Sequence, residues 1–377
     1  MATLNPFTPT GRLVLKIGSA LLVDPQTGTL RAQWLSALAA DIKTLRNDGL
    51  DIIIVSSGAI ALGRRRLGLT GQNLNLAQKQ ACAATGQSLL TRFYEDAMGA
   101  HELMTAQALL TLNDTEDRRR WLNARSTLNT LLGLGVIPII NENDTVSTTE
   151  IRYGDNDRLA ARTAQMMGAD TLILLSDIDG LYTDDPRKSE RADHIPIIEK
   201  LTDKIMAMGG DANMAAGVGT GGMSTKLLAA EIAMQAGCHM AIMDGRAPSP
   251  LSRLQEGETV SWFKALTSVK NARAQWISGS LKPLGNLVID AGAIEALDQG
   301  RSLLVAGISA VEGNFAKGDS VTISTQDGHK LGTGLVAYDV NDAQRIMGLR
   351  SEDAAKLLGY DKIDPIIHRD NLVWIHS

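Results

Sequence analysis

The run Gly217-Val218-Gly219-Thr220-Gly221-Gly222-Met223-Ser224-Thr225-Lys226 places glycines, hydroxyls and one lysine directly before a helix-like segment, residues 227–236. Such a run suits phosphate: glycines let backbone N–H groups approach an anion, a helix start adds partial positive charge, and the lysine adds a full one. Nucleotide binding is the first expectation. Gly217, Gly219 and Gly222 also fit G-x-G-x-x-G, but a dinucleotide fingerprint follows the first strand of a βαβ unit, and this run follows a loop deep in the chain. No G-x-x-x-x-G-K-[ST] occurs, so the common P-loop is excluded. The competing reading is a flexible glycine linker that ends in lysine.

A second lysine, Lys16, ends an apolar stretch and is followed by Gly18-Ser19. A lysine at a strand end is commonly just solvated. Two lysines flanking one phosphoryl group would instead support a transfer catalysed by positioning and charge neutralisation. Ser57-Gly58-Ala59 can hold a carboxylate through its hydroxyl and amides, or can simply cap a helix. A serine nucleophile is disfavoured, because there is no G-x-S-x-G and no histidine lies nearby in sequence. Carboxylates and amides crowd into Asn141-Glu142-Asn143-Asp144 and Gly154-Asp155-Asn156-Asp157, which demands positive charge: a substrate ammonium, magnesium carried with nucleotide phosphates, or the two lysines. Asp157 also precedes the apolar residues 159–167, so capping is its alternative role. Asp184-Asp185-Pro186 reads as a turn. Arg64-Arg65-Arg66 and Arg118-Arg119-Arg120 read as solvated faces or oligomer contacts, paired with acids such as Glu116 and Asp117.

The elements that must position these residues alternate short apolar runs with amphipathic stretches from Arg12 to about Leu266. This pattern predicts an α/β domain with a mainly parallel sheet covered on both faces. Strands are expected over residues 13–15, 51–55, 136–140, 171–175 and 239–243. Each is followed by small or polar residues: Lys16 to Ser19, Ser56 to Ala59, Asn141 to Asp144, Ser176-Asp177 and Asp244 to Arg246. Ligands of open α/β sheets bind at that edge. Beyond Leu266, Val/Ile/Leu-rich segments between glycine turns (285–289, 302–306, 319–324, 332–337) predict a small, mostly β domain. The expected division is 1–266, a linker over 267–276, and 277–377.

The chain has 377 residues, 44% hydrophobic and 21% charged, enough for two or three domains with real cores. No apolar run approaches the ~18 residues of a membrane span, and residues 1–12 lack the pattern of a secretory leader, so the cytoplasm is the expected compartment. Cys82 and Cys238 are far apart in alanine-rich surroundings and read as buried free thiols. The six histidines show no metal spacing. A net charge of −5 offers nucleic acid or an anionic membrane no long-range attraction.

Together, Val14 to Ser19, Ser57 to Ile60, Lys79-Gln80, Gly86-Gln87-Ser88, Leu122 to Arg125, Asn141 to Asp144, Gly154 to Asp157, Gly180-Leu181-Tyr182-Thr183 and Gly219 to Lys226 closely resemble the glutamate 5-kinase family of the amino acid kinase superfamily. Gly300 to Leu304, Gly307-Ile308, Gly313-Asn314-Phe315 and Gly318-Asp319 are similar to a PUA domain. The resemblance implies a three-layer αβα kinase fold with a PUA-like C-terminal domain. The implied activity is ATP-dependent phosphorylation of the side-chain carboxylate of L-glutamate, which opens proline biosynthesis. It implies that Lys16 and Lys226 neutralise the moving phosphoryl group while Asp157 holds both ammoniums. Ser57, Asp144 and Asn156 would bind glutamate with Asp155 in support, and Ser176, Asp177, Thr220, Gly221, Gly222, Met223, Ser224, Thr225 and Lys226 would bind ATP with magnesium. A homo-oligomer (dimer or tetramer), feedback inhibition by proline and hand-over of product to glutamyl phosphate reductase are implied likewise. Ser56 stands where threonine is common in the family, and the lead before the first strand is slightly longer. The rivals are a PUA protein that binds RNA and a kinase for another acid, such as N-acetylglutamate or aspartate. Against RNA, residues 276–377 carry nine basic and thirteen acidic side chains.

Overall fold

The computed structural model describes residue 7 and residues 10–24, 27–146, 155–189, 191–210, 222–279 and 282–375. The chain divides into two compact units, Met1–Val269 and Lys270–Ser377.

In the first unit the strands are β1 (Arg12–Ile17), β2 (Asp51–Val55), β3 (Thr105–Leu110), β4 (Ile137–Glu142), β5 (Thr171–Ser176), β6 (Leu181–Tyr182), β7 (His194–Ile195), β8 (Ile197–Ile198), β9 (His239–Asp244) and β10 (Val260–Phe263). Eight of them form one sheet in the order β3-β4-β2-β1-β5-β9-β10-β8, and β6 and β7 form a separate antiparallel pair. Within the large sheet only β9 and β10 run antiparallel. The central strands are continuous Val/Ile/Leu runs because both faces are covered.

Side chains alternate across a strand, so Leu13, Leu15 and Ile17 of β1 face one way, into a core with Trp34, Leu35, Leu38 and Ile42 of the helix Ala32–Asn47 and with Leu90, Tyr94 and Met98 of the helix Leu76–Gly99. Val14 and Lys16 therefore face the other way. On that side the helix Asp155–Met167 packs on β1, β2, β4 and β5, and on the helix Met223–Gln235. The buried faces of these two helices are rich in alanine: Ala160, Ala161 and Ala164 on one, Ala229, Ala230 and Ala233 on the other. Small side chains let the two helices approach each other and the sheet closely.

Register brings the strand ends into line. Lys16 pairs with Val55 and Leu174, Val55 with Ile140, and Leu174 with Ile242. The polar residues that follow each strand thus emerge along one edge.

The second unit holds β11 (Gly285–Ile289), β12 (Ile308–Gly313), β13 (Ser320–Ser324), β14 (Lys330–Leu335) and β15 (Leu372–Trp374), in the order β12-β11-β13-β14-β15. Leu287, Ile289, Val321, Ile323, Val336 and Ile367 lie in its core. The strand expected over 302–306 is absent: Leu303 makes a single bridge to Ile367, and Val305–Gly307 is a 3₁₀ turn. The stretch expected as a linker is largely the helix Val269–Gly279.

One contact fixes the helix pair Ala59–Arg66 and Leu76–Gly99. A Cβ on Gly86 would lie 1.7 Å from the carbonyl oxygen of Ala59, and one on Gly63 would lie 1.8 Å from that of Cys82. Only glycine fits, and the backbones touch. Gly86→Ala is expected to lower unfolding free energy by about 1–3 kcal/mol or more, as overpacking does. Gly133→Ala, at a helical glycine with open space around it, is expected to stay within about 0.5 kcal/mol. Urea unfolding of the two variants side by side checks the pair.

Candidate active site

The end of β1 and the first turns of two helices meet at one buried carboxylate. Asp157, the third residue of the helix Asp155–Met167, is fully buried. Lys16 Nζ lies 2.5 Å from its Oδ1, and Lys226 Nζ lies 3.2 Å from its Oδ2. Thr225 Oγ1 donates to Oδ2 at 3.1 Å and to the carbonyl of Gly222 at 2.8 Å. Both lysines are themselves almost buried. Burial alone would raise the pKa of Asp157, but the two ammoniums outweigh it and hold the group at about 2. One carboxylate against two ammoniums leaves a surplus positive charge, and both lysines line a cavity of about 1270 Å³.

The sheet order divides this cavity. On one side of β1 lie the ends of β2 and β4; on the other, the ends of β5 and β9. The first half is lined by Ser57, Gly58, Asn141, Glu142, Asp144 and Asn156. Asn156 Nδ2 donates to Ser57 Oγ at 2.8 Å and lies 3.4 Å from Asn141 Oδ1, while Asn141 Nδ2 donates to Gln87 Oε1 at 2.7 Å. Asn156 Oδ1 is buried with no hydrogen-bond partner among the described residues. An acceptor of this kind calls for a donor from a ligand. Below the turn, Ser56 Oγ and the buried Tyr94 hydroxyl are 2.9 Å apart, tying the end of β2 to the helix Leu76–Gly99. Gly58 sits at φ +106 and caps the helix Ala59–Arg66 without a side-chain bond. Ser57 is therefore no cap, and its hydroxyl faces the cavity.

The second half is lined by Gly18, Ser176, Asp177, Asp179, Tyr182, Gly222, Met223 and Arg246. Ser176 Oγ donates to Asp177 Oδ1 at 3.2 Å, and its carbonyl accepts from Gly245 N at 2.9 Å. Gly222 is the N-cap of the helix Met223–Gln235, so Met223, Ser224 and Thr225 supply its first-turn amides. Thr220, Gly221 and the rest of the run back to Gly217 lie outside the described residues, as does Gly154. Asp155 opens its helix. Among the described residues no three His, Cys, Asp or Glu side chains converge on a metal site.

An amino acid kinase family model matches residues 11–244, and a PUA domain model matches residues 285–358. The chain is 55% identical over 370 residues to the glutamate 5-kinase of Caulobacter vibrioides, covering 98% of both chains. It is 54% identical over 370 residues to that of Paramagnetospirillum magneticum, covering 98% of this chain and 99% of the relative. The chain belongs to the amino acid kinase family, within its glutamate 5-kinases. It is a kinase whose second unit carries a PUA domain.

Several lining residues escaped the sequence reading. Arg64 and Arg65, expected as a surface or oligomer contact, line the cavity. Lys79, quoted only as part of the resemblance, lines it too. Of the second arginine run, Arg120 pairs with Asp114 at 3.0 Å, while Glu116 is taken by Arg158 at 2.8 Å. Gln87 reads as an ordinary helix-surface amide until Asn141 is placed opposite it.

The depressed pKa of Asp157 has a pH signature. A carboxylate lowered on folding contributes stability that is complete above its unfolded pKa of about 4 and lost as pH falls toward the folded value. That folded value is about 2. Asp157→Asn is expected to flatten the acid limb of stability between these pH values. At neutral pH it should destabilise on the order of 3 kcal/mol, because two buried ammoniums lose their partner. Urea unfolding at a series of pH values reads both effects.

Proposed function

We propose that the protein transfers the γ-phosphoryl group of ATP to the side-chain carboxylate of L-glutamate, giving ADP and L-glutamyl 5-phosphate, the first step of proline biosynthesis. The observation that carries this reading is the pair of ammoniums held on buried Asp157 where the two halves of the cavity meet. A carboxylate oxygen attacks the γ-phosphorus, and the bond to the β–γ bridging oxygen breaks, leaving ADP. The attacking carboxylate is already ionised at neutral pH, so no general base is required. The chemistry asks for alignment and for charge near the phosphoryl oxygens, which Lys16 and Lys226 supply. Asp157 aims both ammoniums and, being fully ionised, does not compete for a proton.

Glutamate fits the half lined by Ser57, Asp144 and Asn156. Its ammonium meets Asp144 and the unpartnered Asn156 Oδ1, with Asp155 in the same helical turn as support, and its α-carboxylate meets the hydroxyl and amides of Ser57 to Ala59. ATP occupies the half at the ends of β5 and β9, with its phosphates toward Gly18, Ser176 and the first turn of the helix Met223–Gln235; Thr220 and Gly221 complete this part of the proposal. Magnesium arrives as part of the nucleotide substrate and neutralises some of its phosphate charge. Such a cation keeps several waters and needs at most one or two carboxylates from the protein. A cytoplasmic homo-oligomer, proline as feedback inhibitor and hand-over to glutamyl phosphate reductase belong to the same proposal and rest on the family resemblance.

ATP turnover in hydroxylamine, which traps an acyl phosphate as a hydroxamate, tests the assignment across a panel of amino acids. L-Glutamate is expected to give hydroxamate, and N-acetylglutamate to give none, since it brings no ammonium to Asp144 and leaves Asn156 Oδ1 without a donor. Lys16→Ala and Lys226→Ala should each lower kcat on the order of a hundredfold or more. Ser57→Ala should chiefly raise KM for glutamate. Normal kcat in either lysine variant would sink the reading.

A further inference from the structure

The first half of the segment joining β9 to β10 is held at two places by the helix Ala32–Asn47 and its N-cap residue Arg31. Trp34 Nε1 donates to the carbonyls of Gly245 and Ala247 at 2.7 and 3.1 Å, and Arg31 Nη2 donates to that of Arg246 at 3.0 Å. About two helical turns further on, buried Asp41 accepts from Leu251 N at 2.9 Å and Ser252 Oγ at 2.6 Å. From the other side Gly245 presses on Leu21 and Leu175, where a Cβ would lie 2.6 and 2.9 Å away. All of this fixes one exposed side chain. Arg246 lines the cavity and forks onto Asp244, with Nε 3.0 Å from each carboxylate oxygen and Nη2 2.6 Å from Oδ2. The Arg246 side chain is 63% exposed, and an ion pair with so exposed a member adds little to stability. The arrangement orients rather than stabilises.

Its place on the sheet says what it is oriented toward. Arg246 follows β9, two strands from β1 on the side away from Ser57, so its strand is displaced sideways from Lys16 by roughly 10 Å. The Asp244 fork occupies Nε and Nη2, and Nη1 makes no hydrogen bond among the described residues. What remains for a ligand is one N–H edge and two planar faces, a combination suited to a sugar hydroxyl or a stacked base.

We propose that Arg246 recognises the nucleoside part of the phosphoryl donor, beyond its phosphates. This rests on the kinase reading above, and Trp34 and Asp244 are its positioning residues. In Arg246→Ala, KM for ATP and Kd for ADP should rise about tenfold, the scale of one charged hydrogen bond or cation–π contact. The kcat at saturating ATP and the KM for glutamate should stay unchanged. Inhibition by inorganic tripolyphosphate, which has no nucleoside, should also be unaffected. Trp34→Phe, which removes the indole N–H and keeps the ring, should weaken ADP in the same direction and add nothing on top of Arg246→Ala. A tripolyphosphate inhibition constant that rises as much as the Kd for ADP would assign Arg246 to the phosphates and overturn the proposal. So would an unchanged Kd for ADP in a variant whose thermal unfolding matches the parent. Because ADP binding is measured by calorimetry without acceptor, the result stands even if L-glutamate proves not to be the substrate; only the hydroxamate assay reports on that.

Discussion

Two ammoniums share one buried carboxylate, and much of the first unit can be understood as what that requires. Removing Asp157 from water is costly, and deleting a partner from a buried ionic group typically costs about 3–5 kcal/mol. Whole domains are stable by only about 5–15 kcal/mol. The group is tolerable only if both lysines reach it every time the chain folds. Alternation along β1 sends Lys16 to the face opposite Trp34 and Tyr94. The alanine faces of the helices Asp155–Met167 and Met223–Gln235 let both first turns descend to that point. Thr225 occupies part of the remaining hydrogen-bonding capacity of the carboxylate. The result is positive charge already oriented for the transfer we propose.

What could be read from the sequence follows from burial. Strands covered on both faces are uninterrupted apolar runs, which is why Leu13 to Leu15, Asp51 to Val55 and Thr171 to Leu175 stand out. Thr105–Leu110 at the sheet edge alternates small and polar residues, and Val260–Phe263 is short and antiparallel, so neither carries that signature. Residues 302–306 are apolar for another reason: Leu303 and Val305 fill the core of the second unit from a bridge and a turn. In the site, residue types were legible and meetings were not. Lys226 and Asp157 lie 69 positions apart, and only the fold joins them. Ser57, Asn141 and Asn156 stand out by type, but the amide chain that joins them to Gln87 does not, because the bonds link residues far apart in sequence. Arg64 and Arg65 misled in the opposite way, since a basic run on a helix looks the same whether it meets water or a cavity.

The comparison with the family and the geometry of the site answer different questions. Identity of 55% over 98% of the chain establishes membership. It does not say why a carboxylate with a pKa of about 2 sits between two lysines, nor why a tryptophan indole should hold the loop after β9. Those features follow from charge, burial and hydrogen-bonding capacity.

The order β4-β2-β1-β5-β9 has a consequence for how such a chain can change over time. In the arrangement we propose, residues facing the acceptor follow β2 and β4, and residues facing the donor follow β5 and β9, with β1 as a shared border. Drift in the loops after β2 and β4 can alter which acid is accepted while leaving the nucleotide half untouched, because no side chain has to satisfy both. The buried triad is the exception. On that proposal it serves both partners at once, so a lineage built on this sheet is free to explore acceptors only so long as Lys16, Asp157 and Lys226 stay in place.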